Sequence, residues 1–192
     1  MDITNIGGIL TGDEILNQYM QGHISIIPSI VNEQIGPNSY DLHIGDELCL
    51  YNSSLIDPKK PETYAFTKVT IPEDGYLCVP GGFYLASTKE QFGSSRFVPI
   101  VTGRSSIGRL GISVHQEAGF GDLGYFGKWT LQIKVSRPII IYPNMRLAQV
   151  YFISTYGSIN SLYHGKYLNN SGDIQPSLLY KDPDIIIKDN ES

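Results

Sequence analysis

The chain is poor in the features that mark several protein classes. Its 192 residues include only two cysteines, Cys49 and Cys78, far apart and in apolar, strand-like surroundings. They form no C-x-x-C pair, so a zinc centre of the usual spacing is not expected, and both read as free, buried core thiols. No basic segment followed by an apolar stretch opens the chain, and no apolar run approaches membrane-spanning length, which points to the cytosol and to no membrane partner. Cations are scarce as well. Fourteen Lys and Arg stand against 19 Asp and Glu, a net charge of −5. Such a surface argues against general nucleic-acid binding, although a few cations converging locally still suit a polyanion. Charged residues make up 17% and hydrophobic ones 41%, enough apolar surface for a core, with disorder expected only in the tails. There is no internal repeat and no low-complexity segment. The length suits one domain over residues 1–180, followed by a charged tail at 181–192.

What is present reads mainly as strands. Thr11 with Glu14 three positions on forms a capping-box pattern, Ile15, Leu16, Tyr19 and Met20 follow at helical spacing, and Gly22 ends the helix. Leu42, Ile44, Leu48 and Leu50 keep period two across a Gly45-Asp46 interruption, which predicts two short strands or one bulged strand. Further short strands are expected at 64–71, 76–79, 83–88, 97–101, 129–135, 139–142 and 147–153, separated by Gly or Pro. Many short strands at regular spacing predict an all-β sandwich or barrel with one N-terminal helix.

The chemistry concentrates between Gly103 and Ile133, a glycine-rich stretch with no helical period. Arg104, Ser105, Ser106 and Arg109 fall within six positions. Hydroxyls, backbone N–H groups and guanidinium forks are the groups that hold phosphate oxygens, although the same residues also suit an ordinary polar turn. Asp122 lies among glycines with Tyr125 three residues on. Such an Asp either caps its own turn or orients a water, and such a Tyr offers a flat face to a sugar or base.

Three separated motifs carry a family resemblance. They are G-R-S-S-x-x-R-L-G from Gly103, V-H-x-x-A-G-x-x-D-x-G-Y-x-G from Val114, and the W-T-L-x-I strand from Trp129. Together with Asn38-Ser39-Tyr40-Asp41-Leu42 and the Tyr163, Lys166, Tyr167 segment, they resemble the dCTP deaminase branch of the dUTPase superfamily over roughly 24–180. The resemblance implies a mainly β, distorted jelly-roll subunit, a homotrimer with sites at subunit interfaces, and Mg²⁺ bound through the nucleotide triphosphate rather than by a protein metal site. It assigns Arg104, Ser105, Ser106 and Arg109 to the triphosphate. Lys166, Tyr167, Tyr163 and Asn170 would belong to a segment, 160–180, that closes over the nucleotide. Ala118 and Gly119 lie at the pyrimidine edge, Tyr125 packs on the deoxyribose, and Asp122 contacts the sugar or activates water. His115 matches a recurrent His and is read as structural.

The chain departs from that pattern at Gln132. Deaminases of this branch carry a Glu there, which shuttles the proton for water attack on C4 of cytosine. An amide is neither a general acid nor a general base at neutral pH. Triphosphate cleavage does not need that Glu. The sequence therefore puts dUTP hydrolysis to dUMP and pyrophosphate first, with Asp122 activating water. A dCTP deaminase, mono- or bifunctional and dUTP- or dUMP-forming, comes second, with Gln132 a variant or an engineered trap, and a non-catalytic nucleotide sensor third.

Overall fold

Why the sheet curls, and where its curl leaves an opening, follows from two long strands that change partners. The computed structural model describes residues 7–115, 117–168, 172 and 174–185. Helix α1 spans Gly12–Met20 and α2 spans Ser105–Arg109. The strands are β1 Ile24–Ile27, β2 Tyr40–Tyr51, β3 Phe66–Thr70, β4 Tyr76–Cys78, β5 Tyr84–Ser94, β6 Phe97–Gly103, β7 Ile112–Val114, β8 Phe126–Val135, β9 Ile139–Ile141 and β10 Arg146–Ser154. The main sheet runs β6-β10-β2-β5-β8-β7, with β1 added to β5 and β3 to β2, while β4 and β9 pair separately. β2 pairs with β10 through residues 40–43 and with β3 through residues 47–51. Its register against β5 shifts between Ile44 and Leu48, the Gly45-Asp46 interruption of the sequence. β5 shifts against β8 between Ser87 and Gln91. Bulges of this kind bend and twist a strand. β6 packs against β7, so the sheet closes nearly into a barrel. The architecture is the expected mainly β one with a helix near the N-terminus.

Local chemistry sets α1. Thr11 is extended and its Oγ1 accepts from the Glu14 N–H at 3.3 Å, while Gly22 beyond the helix has φ 74°. The Glu14 carboxylate accepts from the side-chain amides of Asn17 and Gln18. One contiguous cluster reaches from Ile15 through Tyr40, Leu42, Phe92 and Leu131 to Phe152, all fully buried. Each such side chain contributes about 1.5–3 kcal/mol. Glu90, 3% exposed at the β5 bulge, is satisfied by the His43 N–H at 2.9 Å, His43 Nδ1 at 2.7 Å and Gln34 Nε2 at 3.0 Å. Cys49 and Cys78 are buried and not joined in a disulfide, and burial pushes the Cys78 thiol up to about 11. No helix among the described residues is long and apolar enough to cross a membrane.

Two elements differ from the sequence reading. The Arg-Ser-Ser stretch is not a β-turn but the single-turn helix α2, with Ile107 buried beneath it. One turn is too short to display a helical period. The three-residue β7 buries Ile112 and Val114 against β8, a pattern of only two apolar positions.

Candidate active site

The site is built on β8. Its burial alternates: Trp129, Leu131, Ile133 and Val135 face the core, while Thr130 and Gln132 are half-buried on the other face. There they line a cavity of about 450 Å³, closed by residues of the 115–125 loop, by Tyr51, Phe83 and Leu85, and by Tyr163, Tyr167, Gln175 and Ser177. That size falls within the range of small-ligand pockets.

The loop reaches the cavity by extending a ladder and then crossing β6. The His115 N–H donates to the Gln132 carbonyl at 2.8 Å, and His115 itself has φ 53°. The chain next pairs with β6, Val101 N–H to Gly119 O at 2.8 Å and Gly121 N–H to Pro99 O at 2.9 Å. A Cβ on Gly119 would lie 2.4 Å from the Val101 carbonyl, and one on Gly121 would lie 2.1 Å from the Trp129 ring. Only glycine permits that approach. Tyr125 donates its hydroxyl to the Lys128 carbonyl at 2.7 Å, and its ring meets Trp129 edge-on at 5.2 Å and Tyr163 at 5.9 Å. Its face is thereby fixed.

The C-terminal segment is laid along the same face. Tyr163 N–H donates to Leu123 O at 2.7 Å, Tyr167 N–H to the Tyr163 hydroxyl at 3.2 Å, and Leu178 N–H to the Tyr167 hydroxyl at 3.0 Å. Ile174 is buried with Cys49 and Leu85 in a small cluster apart from the main core.

Six residues singled out in the sequence thus line one cavity: Ala118, Asp122, Tyr125, Gln132, Tyr163 and Tyr167. Others do not. Gly119 shapes the loop from behind. Lys166 is exposed, pairs with Asp182 and lies 5.7 Å from the Tyr167 ring; the Asp182 carboxylate raises its pKa. Arg104, Ser105, Ser106 and Arg109 do not line this cavity. Arg104 Nε is 3.0 Å from Asp41 Oδ1, and Arg146 Nη1 is 3.4 Å from the other Asp41 oxygen. Ser105, Ser106 and Arg109 are exposed on α2. Asn170 lies outside the described residues, as does most of the tail. Sequence reasoning missed Tyr51 and Gln175, which belong to no recognisable motif, and gave no role to Thr130, which stands inside the W-T-L-x-I motif.

The polar interior is unusual in one respect. Among the described residues, two buried side-chain atoms lack a hydrogen-bond partner, His115 Nδ1 and Gln175 Oε1, and both residues line the cavity. Such orphans cost about 1–3 kcal/mol each, and a bound ligand is one way to satisfy them. Burial holds the His115 imidazole below its usual 6.5, which favours the neutral ring at pH 7. The described residues hold no group of three His, Cys, Asp or Glu able to bind a metal. Asp122, exposed, is the carboxylate among the residues that line the cavity.

Comparisons with known proteins bear on this geometry. A family model described as "dCTP deaminase-like" matches residues 9–155. A relative named "dCTP deaminase, dUMP-forming" from Clostridium beijerinckii is 45% identical over 174 residues, 91% of this chain and 98% of the relative. Its namesake in Cytophaga hutchinsonii is 43% identical over the same shares. Among solved structures, 2'-deoxycytidine 5'-triphosphate deaminase from Agrobacterium tumefaciens matches with a TM-score of 0.62 at 23% identity. That match covers 80% of this chain and 50% of the other, and it is a likeness of fold alone.

Proposed function

The chain belongs to the dCTP deaminase-like family, and from that premise we propose that it is an enzyme acting on pyrimidine deoxynucleoside triphosphates, with dCTP as substrate and dUMP as product. The observation that carries this reading is the near full-length identity to relatives named for that reaction. It reverses the order the sequence alone suggests, in which dUTP hydrolysis stands first. In balance, dCTP and two waters give dUMP, pyrophosphate and ammonia. One water adds at C4 of the base and ammonia leaves; the other attacks the α-phosphorus and pyrophosphate leaves.

Tyr125 provides the face for the deoxyribose and Ala118 the backbone edge for the base. Asp122 positions the water that attacks phosphorus. Gln132 stands where a proton carrier would serve C4, and its amide orients the base without moving a proton. In this reading the proton passes to His115, the neutral imidazole beside Ala118. Mg²⁺, bound through the triphosphate, supplies charge neutralisation on the phosphates. Arg104, Ser105, Ser106 and Arg109 bind the triphosphate of a neighbouring subunit's cavity, because they do not line their own. A homotrimer with three interfacial sites satisfies that requirement.

Gln132 itself favours a second reading, a dUTP diphosphatase that has lost deamination. One assay separates the two. The protein is incubated with Mg²⁺ and either dCTP or dUTP, and nucleotides and ammonia are resolved. Release of dUMP and ammonia from dCTP is expected. Release of dUMP from dUTP with dCTP untouched overturns the first reading in favour of the second, and turnover of neither nucleotide sinks both.

A further inference from the structure

Gln175 has no role in the scheme above, yet the fold holds it firmly. Its backbone N–H donates to Thr130 Oγ1 at 2.9 Å, and Thr130 stands two positions before Gln132 on the half-buried face of β8. The residue before it, Ile174, is 4% exposed and packed with Cys49 and Leu85. Two residues after it, the Ser177 N–H donates to the Tyr51 hydroxyl at 3.1 Å. Pinned on both sides, the Gln175 side chain lines the same cavity as Gln132. Its Oε1 is shut from solvent and has no partner. Buried amide oxygens in folded proteins are nearly always satisfied, so this one marks the place of a donor that the ligand brings.

The bases differ in what they offer. Cytosine presents an amino group at C4, whose N–H bonds donate; uracil and thymine present a carbonyl oxygen there, which only accepts. An isolated acceptor opposite C4 rewards the first and repels the second, and a site that leaves a buried group unpaired rejects the wrong ligand strongly. Gln132, lacking the charge of a carboxylate, is a weaker acceptor for that amine. We infer that Gln175 is a specificity-determining residue whose Oε1 accepts a hydrogen bond from the exocyclic amine of cytosine, so that the C-terminal segment reads the base. The inference rests on the reading of the cavity as a pyrimidine site.

The test uses binding rather than turnover. Trp129, the chain's single tryptophan, lines the cavity, and its fluorescence reports occupancy within the mixing time of a stopped-flow instrument. The full-length protein is titrated with α,β-imido dCTP and α,β-imido dUTP, whose triphosphates resist cleavage. Gln175→Leu, which keeps the bulk and removes the acceptor, is expected to weaken the dCTP analogue about tenfold and to change the dUTP analogue less than about twofold. Gln175→Glu, which keeps an acceptor, retains the preference for the dCTP analogue and guards against a misfolded Leu variant. Equal loss for both analogues would reduce Gln175 to a structural anchor and overturn the inference. So would a loss confined to the dUTP analogue, which would mean that the amide donates. If the unaltered protein binds neither analogue, the pyrimidine reading itself fails, and this one falls with it.

Discussion

Gln132 and His115 are joined by a backbone hydrogen bond at the cavity wall, and of the two side chains only the imidazole can take up a proton. Restoring a carboxylate by Gln132→Glu should raise ammonia release from dCTP by about 10²–10⁴-fold, the usual contribution of a positioned acid–base group. An unchanged rate would remove position 132 from proton transfer altogether. His115 makes a separate prediction through stability. Burial lowers its folded pKa below 6.5, so below 6.5 the unfolded chain binds the proton more readily than the folded one. The contribution of the neutral ring is therefore full above pH 6.5 and is lost as pH falls through the folded value. Melting midpoints of the unaltered protein should drop between pH 7 and pH 5 more than those of His115→Asn. Parallel curves would show that another group governs the acid limb.

Elements differ in how plainly they are written in the sequence. Thr11, Glu14 and Gly22 announce α1 because its capping contacts lie a few residues apart, and the alternation from Trp129 to Val135 announces β8 because one face of that strand is buried at every second position. α2 and β7 are too short for either period to register. The cavity divides in the same way. Asp122, Tyr125 and Gln132 stand in one continuous motif, whereas Gln175 reaches Thr130 across 45 positions and Ser177 reaches Tyr51 across 126. The resemblance points to the 160–180 segment as part of the site, but no local pattern encodes which residues of a chain that returns so far face the cavity. The segment's anchor can be tested directly. Ile174 packs in the small Cys49–Leu85 cluster rather than the barrel core, so the cost of Ile174→Ala, about 2–5 kcal/mol for a fully buried Ile, falls on docking of the segment. Nucleotide affinity should fall while the melting midpoint stays close to that of the unaltered protein. A large drop in melting with affinity preserved would reverse that assignment.

For the molecule as a whole, the separation of the arginine-bearing helix from the cavity is the main organising fact. A site completed across subunits predicts complementation between two inactive variants, Arg109→Ala and Asp122→Asn. Unfolded together and refolded as mixed oligomers, they should recover about a quarter of the unaltered activity, the fraction of interfaces that receive one intact half from each. Recovery no greater than in separately refolded variants would place both residues in one subunit's site. The Asp41 carboxylate adds a consequence for the reaction cycle. It holds Arg104 and Arg146 at once, so on the proposed assignment of Arg104 to the triphosphate it competes with phosphate for that guanidinium. That competition favours release of pyrophosphate after cleavage. Asp41→Asn should then make pyrophosphate a several-fold stronger inhibitor in steady-state assays; weaker inhibition would mean that the carboxylate only aims the guanidinium.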